Sequence, residues 1–144
     1  MKVLQELNDG WKLTLVSNAT LRNDRFGPRH IDEIINSPYE TIPATVPGNF
    51  ELDLLRSGKI DDPFFSTNIL KLQELENRHL FYTLKFDATD IPTVPAEKSR
   101  GAYEVHDADM PILRFEGIDT VAEIYLNGNM VCYAENMFLP YEIP

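Results

Sequence analysis

Between Asp62 and Asn68 the sequence reads DPFFSTN, which sets a carboxylate, two adjacent aromatic rings and a side-chain amide in one short stretch. These are the group types that hold a pyranose, whose apolar face suits a flat ring and whose hydroxyl rim suits amides and carboxylates. Asp62, Phe64, Phe65 and Asn68 are therefore the candidates for carbohydrate contact. The same residues also have an ordinary use. Asp before Pro opens a turn, Asn caps a helix, and neighbouring phenylalanines pack. Both uses stay open at the level of sequence, and the ordinary one is the commoner.

Bond-breaking chemistry has less support. Cleaving a sugar linkage with retention of configuration takes two carboxylates about 5 to 5.5 Å apart. Asp61, Asp62, Glu116, Asp119 and Glu123 are the acids that could be tried in that role. Each reads more simply as a turn residue or as an outward residue of a strand, so no catalytic residue is assigned. His30, His79 and His106 lie far apart without ligand spacing, and Asp107 with Asp109 supply too few oxygens for a hard cation. No metal is assigned. There is no glycine-rich phosphate loop or nucleophile elbow, and no cofactor is expected.

Composition limits the partners. A chain of 144 residues suits one domain, 1–144, with 43% hydrophobic residues to build its core. A formal net charge of -10 disfavours nucleic acid and anionic membrane, which present like charge, but places no bar on a neutral sugar. The single cysteine, Cys132, cannot form an intrachain disulfide and reads as a packing residue. The opening MKVLQELNDGWKL has no apolar run of targeting length, which makes the cytoplasm the default location; a leader removed beforehand would leave the same appearance.

The elements that must position the candidate residues are short strands. Asn127-Gly128 between two β-rich runs predicts a hairpin closed by a type I′ turn. A two-residue loop sets Leu126 opposite Asn129, Ile124 opposite Val131 and Ala122 opposite Tyr133. The expected core face is then Ala122, Ile124, Leu126, Val131 and Tyr133, with Glu123, Tyr125, Met130 and Cys132 on the other side. Trp11 to Val16 alternates as a half-buried strand, with Trp11 in the core. Thr41 to Val46 reads as an edge piece broken by Pro43, and His79 to Asp87 as a strand with Leu80, Tyr82, Leu84 and Phe86 inward. Pro111 to Glu116 repeats the alternation, with Leu113 and Phe115 inward.

Two short helices are expected. Phe50 to Ser57 has Asn49 as N-cap and Gly58 as the left-handed residue that ends it. A second begins at Thr67, with Ile69, Leu72 and Leu75 on one stripe. Long loops occupy about 17–40, with a helical turn at Ile31 to Ile35, and about 88–110, with a short strand at Tyr103 to Val105. Arg22, Arg25, Arg29 and His30 read as solvated loop residues. The pattern as a whole predicts an all-β sandwich decorated by helices.

Several stretches, taken in order, carry a resemblance. Ala44-Thr45-Val46-Pro47-Gly48-Asn49, Asp62-Pro63, Asn68, the Tyr82 to Phe86 strand, Phe115-Glu116-Gly117-Ile118-Asp119-Thr120, Glu123 to Gly128 and Asn136-Met137-Phe138 resemble the N-terminal sugar-binding domain of glycoside hydrolase family 2. Within that family the likeness is to the β-mannosidase-like branch, and it covers roughly residues 7 to 144. It implies a jelly-roll, galactose-binding-like β-sandwich that stops short of its last strands. It also implies a partner, the catalytic β/α barrel of a parent glycosidase, toward which the segment from Asp62 to Asn68 would lie. The family's catalytic pair sits in that barrel, so this chain alone is expected to be inactive. Two rival expectations remain: a stand-alone carbohydrate-binding module, and an interaction domain that self-associates through an open sheet edge.

Overall fold

A computed structural model describes residues 5–17, 31–88 and 111–144. Arg22, Arg25, Arg29, His30, the stretch from Tyr103 to Val105, His106, Asp107 and Asp109 lie outside the described residues. The chain forms two units, Met1–Phe86 and Asp87–Pro144.

In the first unit, strand β1 (Lys12–Ser17) is the middle of a three-stranded antiparallel sheet, between β2 (Thr41–Pro43) and β3 (Arg78–Thr83). Leu13 stands opposite Ile42 on one side and Tyr82 on the other. Helix α1 (Ile31–Ile35) lies in the expected loop, and α2 (Phe50–Arg56) follows β2. Asn49 caps α2 as its residue type demands, its Oδ1 accepting the Leu52 N–H at 3.0 Å, and Gly58 follows with φ of 66°. Leu54 of α2 packs with Leu13 and Ile42, and Leu15, Ala44, Phe50, Ile60 and Leu75 gather around them.

Three expectations change here. Strand β1 is not half-buried: Leu13 and Thr14 are 0% exposed and Val16 is 1%, because a central strand is covered on both faces. Thr14 is tolerated inside because its hydroxyl bonds that of Thr41 at 2.7 Å. Strand β3 ends at Thr83 rather than Asp87, and Leu80 and Tyr82 stay partly exposed while Thr83 is buried. The cover supplied by Leu54 is centred on β1 and β2, so burial falls away toward β3. The second helix is a 3-10 helix (Asn68–Leu75) with no buried residue. Trp11 is half-buried and donates Nε1–H to the Leu7 carbonyl at 2.6 Å.

The second unit contains two antiparallel strand pairs, β4 (Leu113–Phe115) with β7 (Tyr141–Ile143) and β5 (Ala122–Leu126) with β6 (Asn129–Ala134). Leu113 and Phe115 are half-buried while Arg114 between them points outward to Glu116 and Glu142. The β5–β6 turn has positive φ at both Asn127 (50°) and Gly128 (82°), as a type I′ turn requires. Its register departs from expectation above Tyr125, where a β-bulge intervenes. Leu126 still faces Asn129, but Ile124 faces Cys132 and Ala122 faces Ala134. One extra residue on β6 reverses the alternation beyond it. Cys132 therefore comes to the side of Ile124, and Tyr133 moves out to be 52% exposed.

Candidate functional site

The segment from Gly58 to Leu75 is built by local bonds. Lys59 N–H closes the end of α2 on the Leu54 carbonyl at 2.8 Å, Ile60 packs on the core, and Pro63 is buried. Asp62 then folds the chain back. Its Oδ1 accepts the Phe64 N–H at 2.9 Å, and its carbonyl accepts the Phe65 N–H at 3.1 Å and the Asn68 Nδ2–H at 3.0 Å. Asn68 in turn donates its backbone N–H to the Phe65 carbonyl at 3.2 Å. The ordinary use of Asp62 and Asn68 is thus present: a side-chain turn and a brace across it.

The phenylalanines behave otherwise. Phe64 is 89% exposed and Phe65 71%, so neither packs into the unit. A large apolar side chain left in water beside a polar, braced turn is the informative kind of exposure. The structure brings all four candidates, Asp62, Phe64, Phe65 and Asn68, into one turn. The turn carries two exposed rings beside a carboxylate and an amide, which is chemistry suited to stacking and hydrogen bonding rather than to bond cleavage.

The five acids considered for catalysis have structural partners. Lys71 donates to Asp61 Oδ2 at 2.7 Å, and this hydrogen bond and charge hold the Asp61 carboxyl below its usual range. A general acid needs the opposite shift. Glu116 bonds Arg114, Glu123 accepts the Tyr125 hydroxyl at 2.6 Å, and Asp119 accepts the Thr120 hydroxyl. Among the described residues, no group of three or more His, Cys, Asp or Glu side chains is placed to hold a metal ion.

Sequence reading missed one residue, Asp53. It is 2% exposed and takes the Thr45 N–H with both carboxylate oxygens, at 3.1 and 3.2 Å. Arg56 Nη1 joins Asp53 Oδ1 at 3.1 Å and also donates to the Thr45 hydroxyl at 2.8 Å. This clamp ties α2 to the turn that precedes it. The available signal was spacing: in FELDLLR, Asp53 lies three residues after Phe50 and beside Leu54, on the inward stripe, where an acid must find partners. Tyr82 shares this environment. Burial first, then the charges of Asp53 and Glu51, push its hydroxyl up to about 12.

Comparison with known proteins settles the relationship. The family described as glycosyl hydrolase 2 galactose-binding domain-like matches residues 19–144. The chain belongs to that family. Its all-β character, with short helices between small sheets, is that of a galactose-binding-like domain, as the resemblance implied. Among relatives of this galactose-binding-like chain, a probable beta-mannosidase of Caenorhabditis elegans is 35% identical over 100 residues, which are 69% of this chain and 10% of the relative. Beta-mannosidase B of Emericella nidulans is 33% identical over 99 residues, again 69% and 10%. Beta-mannosidase of Rattus norvegicus is 32% identical over 106 residues, 74% and 10%. The chain spans about a tenth of the length of the curated relatives it matches.

Proposed function

We propose that this chain serves as the N-terminal, non-catalytic sugar-binding domain of a β-mannosidase-type glycoside hydrolase, and that the turn from Asp62 to Asn68 contributes carbohydrate contact beside the parent's catalytic barrel. The observation that carries the first part is the family match over residues 19–144, together with relatives named beta-mannosidase in which the matched stretch is about a tenth of the whole. The second part is supported by the exposed pair Phe64 and Phe65 on a turn whose backbone is already braced by Asp62 and Asn68, so that the main chain carrying the rings needs no further ordering on binding. In this reading the rings stack on a sugar face and the Asp62 carboxylate takes a hydroxyl.

The purified 144 residues, offered aryl β-mannosides, are expected to give no turnover. Turnover that co-purifies with the chain through repeated chromatography sinks the non-catalytic assignment. Calorimetric titration with manno-oligosaccharides tests the contact site. Phe64→Ala and Phe65→Ala should each weaken binding by about threefold to tenfold, as expected for the loss of one stacked ring. Equal affinities in wild type and both variants would remove the turn from the site.

A further inference from the structure

Among the described residues, two that are not glycine have left-handed φ: Asn127 at 50° and Ser66 at 55°. Asn127 is accounted for by its hairpin turn, and asparagine accepts that conformation readily. Serine does not, and Ser66 stands inside the candidate turn. The Asn68 N–H bonds the Phe65 carbonyl at 3.2 Å, which makes Ser66 the first central residue of a four-residue turn, with Thr67 following at φ -100° and ψ 12°. Glycine suits a left-handed first position, because it has no Cβ to crowd the neighbouring carbonyl. Serine hydroxyls commonly settle on nearby backbone, as Ser37 Oγ does on the Ile34 carbonyl at 2.6 Å. Ser66 is exposed, and its hydroxyl makes no such bond among the described residues. Within the turn, then, its side chain satisfies no group that glycine would leave unsatisfied.

We propose that Ser66 is a further carbohydrate-contact residue, whose hydroxyl exchanges a hydrogen bond with a hydroxyl of the bound sugar. This rests on the reading of the turn from Asp62 to Asn68 as a sugar site, and adds to it a group that selects by hydroxyl pattern. The rings of Phe64 and Phe65 stack on any pyranose face of suitable shape. The Asn68 amide is already committed to the Asp62 carbonyl, and Asp62 Oδ1 to the Phe64 N–H. A hydroxyl both donates and accepts, and the one on Ser66 is uncommitted and adjoins Phe65 in the chain. The Thr67 hydroxyl is also unbonded, but its backbone is of the ordinary kind, so nothing there sets the side chain apart.

The test is calorimetric titration of the full 144-residue chain with a manno-oligosaccharide, comparing wild type with Ser66→Gly, Ser66→Ala and, as a neighbouring-hydroxyl control, Thr67→Ala. Ser66→Gly relieves the backbone, so its melting temperature should stay at or above that of wild type, while its affinity falls about threefold to tenfold, as for the loss of one neutral hydrogen bond. Ser66→Ala keeps the Cβ and should lose affinity to the same extent, and Thr67→Ala should bind like wild type. A serine with no part in binding gives the opposite pattern: the relieved Ser66→Gly variant binds as tightly as wild type or more tightly, and that result overturns the proposal. So does a loss in Thr67→Ala equal to that in Ser66→Ala. Phe64→Ala and Phe65→Ala, measured alongside, separate this claim from the one beneath it. Where they weaken binding and the Ser66 variants do not, the sugar site stands and the Ser66 contact fails. Where wild type does not bind, or neither phenylalanine variant weakens binding, the site itself fails and the Ser66 contact falls with it.

Discussion

The two units are made of the same material, short antiparallel strands, and are held by different forces. Up to Phe86, a strand covered on both faces anchors a core of Leu13, Ile42 and Leu54, and even the polar groups inside it, Thr14 and Asp53, are satisfied by neighbours. From Asp87 onward Ala134 is the one fully buried residue among those described, and order comes from polar bonds near the surface. The Tyr141 hydroxyl accepts the N–H groups of Glu135 and Asn136 at 3.0 and 2.8 Å, Asn136 Oδ1 accepts the Phe138 N–H at 2.9 Å, and Arg114 spans β4 and β7 to Glu142 at 2.6 Å. The contrast teaches that similar strand content need not mean similar energetics. Deleting apolar atoms should hurt the first unit, and deleting single hydrogen bonds should be what the second unit feels.

The sharpest way to break this comparison is Leu54→Ala. Leu54 is 5% exposed at the centre of the first unit's core, and the change should cost about 3 kcal/mol in urea unfolding. Next comes Asp53→Ala, which leaves the Thr45 N–H without its acceptor and Arg56 without its partner; a loss of about 2 kcal/mol is expected, with Asp53→Asn costing less. Tyr141→Phe carries the comparison into the second unit. Its acceptor bonds lie at the surface, where water replaces them, so about 1 kcal/mol is expected, seen as faster amide exchange at Glu135 and Asn136 and not at Leu13.

The fourth prediction concerns pH. The folded Tyr82 hydroxyl titrates at about 12, above the model-peptide value of 10.0, because burial and then the Asp53 and Glu51 charges disfavour the phenolate. Folding therefore favours the protonated form. That contribution is complete below pH ~10 and is lost as pH rises through ~12, so alkaline unfolding should be displaced upward in Tyr82→Phe. An identical alkaline limb in both proteins would show that Tyr82 is not shielded as described. The smallest effect expected is for Phe138→Ala: although it removes a whole ring, the residue is 85% exposed, and melting should stay within about 0.5 kcal/mol of wild type. A loss comparable to that of Leu54→Ala would show that Phe138 is covered in solution and that the second unit has an apolar anchor after all.

Local chemistry was well marked in the sequence. Asn127-Gly128 specifies its turn because few residues other than Asn and Gly accept positive φ at both positions, and Asn49 with Gly58 bounds α2 for similar reasons. The four residues of the candidate turn could be named because turn formers and aromatics are conspicuous by type. The bulge could not be read, since Met130, Val131 and Cys132 are all compatible with either face of a ribbon. Nor could the pairing of β4 with Tyr141–Ile143, since three residues carry too little alternation to define a strand.

By itself, then, the order of residues determined where the chain turns, where its helices are capped and which family it joins, for these depend on neighbours a few positions away and on residue types in series. Tertiary structure alone decided which side of β6 faces inward, that Thr14 and Asp53 would be enclosed while Phe64 and Phe65 stay in water, and that β1 would be the covered strand. Burial is a property of what lies across space, and a side chain's own pattern says only that it could be covered, not what arrives to cover it.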